Sequence, residues 1–312
     1  MRERKDANLR HVRNLERLKG KENITQSGQR IDICANVGTR EDIENVLRSD
    51  AGGIGLFRSE FLYMEMGSKL PSEEQLFQVY KLAAESMGAN RVVVRIADFG
   101  GDKMVESVDL GEQANPAIGL RGIRIMMEKE ELFLPQFRAI LRASALGNVS
   151  IMFPMVTSME EVAAAKCLLE KAKKQLKDEK TAYNENIEIG VMIETPAAVM
   201  ISRELARRVD FLSLGTNDLS QYTLAMDRQN PLLRKKYNDH HPAVLRMIQM
   251  VIEAGHAENR RVCICGELAA DTALTEEFLR MGVDCLSVVP ACILPVRKAL
   301  RQVDLSGDDK GA

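Results

Sequence analysis

The chain has 312 residues, enough for one large domain or two average ones, and its 45% apolar and 28% charged content is that of an ordinary soluble globular protein. A formal net charge of −2, with no tryptophan and 4% aromatics, gives neither the basic footprint nor the stacking platforms of a nucleic-acid binder, and no pull toward an acidic membrane. No apolar run is long enough to span a bilayer, and the N-terminal MRERKDANLRHVRN lacks the apolar core of a signal peptide. Cys34, Cys167, Cys263, Cys265, Cys285 and Cys292 form no disulfide framework, so a reducing cytoplasmic setting is expected. Cys263 and Cys265 make a C-x-C pair, yet no second pair or nearby histidine completes a zinc set.

Residues 2–23 are densely charged, with Leu9, Val12, Leu15 and Leu18 at every third position. The spacing predicts an amphipathic helix with a narrow apolar stripe, suited to a connection between domains. We therefore expect a charged linker helix over 1–25 and one domain over 26–312. Eight short apolar runs follow: 31–37, 52–57, 91–98, 149–156, 187–194, 210–216, 261–267 and 285–289. Several are apolar almost throughout, as parallel strands covered on both faces are. Helical spacing fills the intervals, most clearly where Val162, Ala165, Leu169, Ala172 and Leu176 share a face. Eight strand–helix units in this length predict an α/β fold, a (β/α)8 barrel; an open doubly wound sheet is the rival.

A barrel of this kind builds its active site where strands end. Polar residues collect at those points: Arg58, Asp98 with GGDK, Glu194, Asn217 and Asp218, and Cys265-Gly266-Glu267. Arginines offer paired donors to phosphate or carboxylate. Glu194 and Asp218, from different strands, are placed to share a divalent ion such as Mg2+, or else to neutralise neighbouring arginines. Other patterns fall away. Asp98-Phe99-Gly100 spells a kinase triplet without its partner motifs, and Gly53-Ile54-Gly55 lacks the third glycine of a dinucleotide fingerprint. His240 and His241 are adjacent, so their side chains diverge, and we expect a surface loop.

Five stretches taken in order resemble one family: 52–64 (GGIGLFRSEFLYM), 95–103 (RIADFGGDK), 115–125 (NPAIGLRGIRI), 191–230 and 265–288. They are similar to the C-terminal domain of Enzyme I, the phosphoenolpyruvate-protein phosphotransferase of the sugar phosphotransferase system. The resemblance runs over roughly residues 30–304 and implies the same (β/α)8 barrel. It implies that Glu194 and Asp218 hold Mg2+ and that the Asn217–Asp218 loop contacts the substrate carboxylate. Arg58, Arg95 and Arg228 match the family's phosphate and carboxylate clamps, Arg121 looks like a further one, and Cys265 matches the cysteine that protonates C3 of enolpyruvate. With Glu194 and Asp218 ionised, phosphoenolpyruvate brings such a site to about −5, matched by Mg2+ with Arg58, Arg95 and Arg228. For Cys265 taken alone, core packing is the simpler reading; its strand-end position and the following Gly-Glu favour chemistry.

The family's acceptor histidine stands in a G-G-x-T-S-H type motif on an N-terminal domain. His11, His240, His241 and His256 all lie in other contexts. The chain is expected to be a domain that binds phosphoenolpyruvate and pyruvate, forms a homodimer as the family does, and needs the phosphohistidine domain to reach the carrier HPr. Two alternatives stand beside this: the related domain of a pyruvate phosphate dikinase or phosphoenolpyruvate synthase, and a non-catalytic phosphoenolpyruvate sensor.

Overall fold

In a computed structural model that describes residues 13–101, 103, 105 and 108–306, the apolar runs become strands buried on both faces. They are β1 (Asp32–Val37), β2 (Ile54–Arg58), β3 (Val92–Arg95), β4 (Val149–Phe153), β5 (Ile189–Ile193), β6 (Phe211–Leu214), β7 (Arg261–Ile264) and β8 (Cys285–Val288). Each pairs in parallel with the next, and β8 returns to β1 through Asp32↔Cys285 to Ala35↔Val288, closing the barrel. The expected (β/α)8 architecture is the one observed. An open sheet would leave two strand edges unpaired; here the eight described strands have none.

Helices cover the outside. Those of residues Arg40–Ser49, Glu73–Met87 and Met159–Asp178 each begin with a reciprocal cap, Thr39 with Asp42, Ser72 with Gln75 and Ser158 with Glu161. Along Met159–Asp178 the stripe Val162, Ala165, Leu169, Ala172 and Leu176 is buried, as its spacing predicts. Most of the apolar core lies between this helical ring and the sheet. A second, small cluster, Leu56, Val93, Met152, Met192, Phe211 and Cys265, fills the barrel interior.

Of the expected linker helix, residues 1–12, with Leu9 and Val12, lie outside the described residues. Leu15 and Leu18 are half-buried, and the following segment is fastened to the barrel: Arg297 donates to Asn23 Oδ1 (2.7 Å) and to the Leu18 carbonyl (2.9 Å), and Arg301 to the Glu22 carbonyl (2.6 Å). Among the described residues no helix is long and apolar enough to cross a membrane.

Candidate active site

The strands all run the same way, so the residues that end them meet at one mouth of the barrel. There a cavity of about 800 Å3 opens among Arg58, Arg95, Glu194, Asn217, Asp218, Arg228 and Cys265, together with Asn36, Glu60 and Lys103. Two glycines permit the close approach of the loops. A Cβ on Gly215 would meet Glu194 Oε2 at 2.8 Å, and one on Gly266 would meet Thr216 Oγ1 at 1.8 Å.

On one wall Arg95 pairs with buried Glu60, whose carboxylate Lys103 also approaches at 3.3 Å. Lys103 Nζ lies 2.5 Å from Asp98 Oδ2. Burial alone would raise the Asp98 carboxyl, but Lys103, Arg121 and Arg95 hold it far below its ordinary range. Behind Asp98, Arg121 spends all five of its N–H donors within the protein. Nε and Nη2 reach Asp98 (3.2 and 3.0 Å), Nη1 and Nη2 reach Asp218 (3.1 and 3.2 Å), and Nη1 also reaches the Tyr222 hydroxyl (2.9 Å).

Arg58 is different. Its guanidinium stacks 4.7 Å above the Phe61 ring, and its buried Nε has no hydrogen-bond partner among the described residues. Burial lowers its pKa, with only partial relief from Glu60. Arg95 Nε is orphaned in the same way. Buried donors without partners are rare in folded proteins, and these two belong to register partners on neighbouring strands beside one cavity.

Facing them, Glu194 accepts from the Met155 backbone N–H (2.7 Å) and stands 3.9 Å from Arg95. Burial first, then the charges of Asp218 and Asp98, push its carboxyl up to about 7. Two hard carboxylates that repel one another suit Mg2+, which takes few protein ligands and completes its shell with water and substrate oxygens. Among the described residues no group of three His, Cys, Asp or Glu is arranged to hold an ion without such help. Asn217 and Asp218 stand in the first turn of the helix Thr216–Leu224, where backbone N–H groups lack helical acceptors and attract anions. The Asn217 amide exchanges hydrogen bonds with Glu267, 2.8 Å to its N–H and 3.1 Å to its carboxylate, locking the β6 and β7 loops together.

At the floor, the Cys265 thiol accepts from Ser213 Oγ (3.2 Å) and donates to the Leu214 carbonyl (3.3 Å). It is 4% exposed, and burial pushes it up to about 11, so it carries its proton at neutral pH.

A family model described as PEP-utilising enzyme, PEP-binding domain, matches residues 12–305. The chain belongs to that family. Among curated proteins it is 43% identical to the phosphoenolpyruvate-protein phosphotransferase of Haemophilus influenzae over 93% of this chain and 50% of that one. It is 41% identical to the phosphotransferase of Staphylococcus carnosus over 97% of this chain and 53% of that one. The chain thus spans about half the length of the curated relatives it matches. Among solved structures, a citrate lyase from Burkholderia xenovorans aligns with a TM-score of 0.55 at 18% identity, over 90% of this chain and 80% of that one. An aldolase/citrate lyase family protein from Burkholderia cenocepacia aligns at 0.54 and 15%, over 92% and 96%. These last two show the shared barrel fold alone.

Within this phosphoenolpyruvate-binding family domain, seven of the eight residues to which the family resemblance gave a role line one cavity. Arg121 is the exception. It was expected as a further clamp; in the structure it is 1% exposed, lies outside the lining of this cavity and donates to Asp98 and Asp218. Sequence reasoning gave no role to Glu60, Lys103, Asn36 or Ser213. Glu60 carried a signal, an acid two places after Arg58 in an otherwise apolar stretch, and Lys103 closes the GGDK segment. His240 and His256 pair with Asp271 (2.8 Å) and Asp284 (3.0 Å), and His241 caps the helix Pro242–Ala257.

Proposed function

We propose that this domain binds phosphoenolpyruvate at the C-terminal mouth of the barrel, with Mg2+ held by Glu194 and Asp218, and serves the first step of an Enzyme I phosphorelay. The observation that carries this reading is the pair of buried, unpartnered Nε atoms of Arg58 and Arg95 on the wall of the cavity that also holds Cys265. Charge supports it. Arg58, Arg95, Lys103, Arg121 and Arg228 face Glu60, Asp98, Glu194 and Asp218. A ligand of about −3 entering with one divalent cation brings this set to neutrality.

Arg58, Arg95 and Arg228 bind the phosphoryl and carboxylate oxygens, and the first turn of Thr216–Leu224 adds backbone donors. Arg121 and Lys103 act through Asp218 and Asp98, fixing the carboxylates so that nothing has to reorganise as charge moves. Mg2+ held by Glu194 and Asp218 would supply charge neutralisation for the anionic substrate. Cys265 gives its proton to C3 once the phosphoryl group leaves. The phosphoryl acceptor is a histidine of a separate N-terminal domain, which passes the group to HPr. The charged sequence at 1–25 is assigned as the connection to that domain, and a cytoplasmic homodimer is the expected setting.

The test is calorimetric. The chain should bind phosphoenolpyruvate at one site with Mg2+ present, and chelator should abolish the signal. Arg58→Ala should weaken binding by about 2 kcal/mol or more, because a desolvated anion loses its partner. Equal affinity with and without divalent metal would remove Glu194 and Asp218 as ligands.

A further inference from the structure

Cys265 lies between two cavities. Its thiol forms part of the substrate cavity, while the hydroxyl that touches it belongs to a residue lining a second cavity of about 390 Å3. That second cavity opens at the opposite mouth of the barrel, among Ser213, Cys34, Cys263, Cys285, Arg91 and Arg261. The strand pattern explains the juxtaposition. Ser213 on β6 pairs with Cys263 on β7, and Cys265 follows two residues later on the same face. Ser213 is 1% exposed, on the same strand face as Phe211 of the interior cluster that also holds Met192, Met152 and Val93. It donates to the one thiol in the substrate cavity. The lower cavity is large enough for several waters and is lined by polar groups that would hold them.

We propose that Ser213 is a positioning residue that relays protons between the Cys265 thiol and water in the lower cavity, so that the thiol is reprotonated from the end of the barrel opposite the substrate. The inference rests on the reading of Cys265 as the acid. The proton count closes. The Cys265 S–H bond breaks as the C3–H bond of pyruvate forms, leaving a thiolate. The Ser213 hydroxyl, already directed at the sulfur, gives its proton to the thiolate and takes one from water below. One solvent proton is consumed for each pyruvate made, and the same path run in both directions exchanges methyl protons of bound pyruvate with solvent. A substrate and partner domain closed over the upper mouth would leave this route open.

The experiment follows deuterium entry into the pyruvate methyl group by NMR, with the intact chain and Mg2+. Cys265→Ala tests the underlying reading and should abolish exchange; exchange at the parent rate would sink the assignment of the acid. Ser213→Ala should slow exchange at saturating pyruvate by about tenfold or more while the pyruvate concentration at half-maximal rate stays put. Ser213→Thr, which keeps the hydroxyl, should restore the rate. Cys263→Leu fills the lower cavity beside Ser213 without touching the substrate side, and should slow exchange too. Thermal unfolding of each variant identifies any that fails to fold, and the remaining variants then decide. Parent-like exchange in Ser213→Ala, failure of the folded threonine variant to rescue, or parent-like exchange in folded Cys263→Leu overturns the lower route.

Discussion

Glu194 is the residue on which the electrostatics of the site turn. Its carboxyl is pushed up to about 7 by burial and by two neighbouring acids, against an ordinary value of 4.5. Between those two values the folded protein keeps a proton that the unfolded chain has released. Stability therefore falls as pH rises through this window and is lowest above about pH 7. Summed over the window, the change is on the order of 3 kcal/mol. Asp98 and Glu60, whose carboxyls are held below their ordinary range, contribute stability that is lost only at more acid pH, so they leave the window clear. Glu194→Gln should flatten the dependence and make the protein more stable than the parent at pH 8, in chelator. Urea unfolding at a series of pH values reads this directly. A parent that is no less stable at about pH 8 than at about pH 5 would show that Glu194 is ionised without cost.

At the scale of elements, the strands were the legible part and the cross-strand contacts were not. Each observed strand falls within a predicted apolar run or one residue beyond it, because a strand covered on both faces is apolar along most of its length. The runs overshoot where chemistry begins: 91–98 contains β3 and then Asp98, and 187–194 contains β5 and then Glu194. The pairing of Arg121 with Asp98 and Asp218, 23 and 97 residues away in sequence, could not be read, because only barrel closure brings those loops together. Among the described residues the histidines carried no such surprise.

The β6 and β7 loops give this scale its own prediction. Asn217→Ala removes both bonds to Glu267, and these lie in half-exposed surroundings. Stability should change by only about 1 kcal/mol. Phosphoenolpyruvate affinity should fall by more, since the first turn of Thr216–Leu224 loses its tether beside the cavity. Denaturant unfolding and calorimetry on one preparation separate the two. A loss of affinity no larger than the loss of stability would mean that the tether serves only the fold.

For the whole molecule, the decisive matter is where the phosphoryl group goes. The proposed site supplies cations for a phosphate and carboxylates for a divalent ion, but an acceptor must also approach in line with the leaving oxygen. His240 and His256 are each paired with an aspartate, His241 caps a helix, and His11 lies outside the described residues. None of the four stands in a phosphohistidine motif. On the proposed reading the acceptor nitrogen comes from another domain, and the curated relatives, about twice as long, have room for one. Supplied as a separate chain, that domain loses the high local concentration that a tether provides. Transfer from labelled phosphoenolpyruvate to HPr should be absent with this chain alone. It should appear when the phosphohistidine domain is added, and its rate should rise with the concentration of the added domain. Label reaching HPr from this chain alone would place an acceptor among its own histidines, and replacing each of the four in turn would show which one.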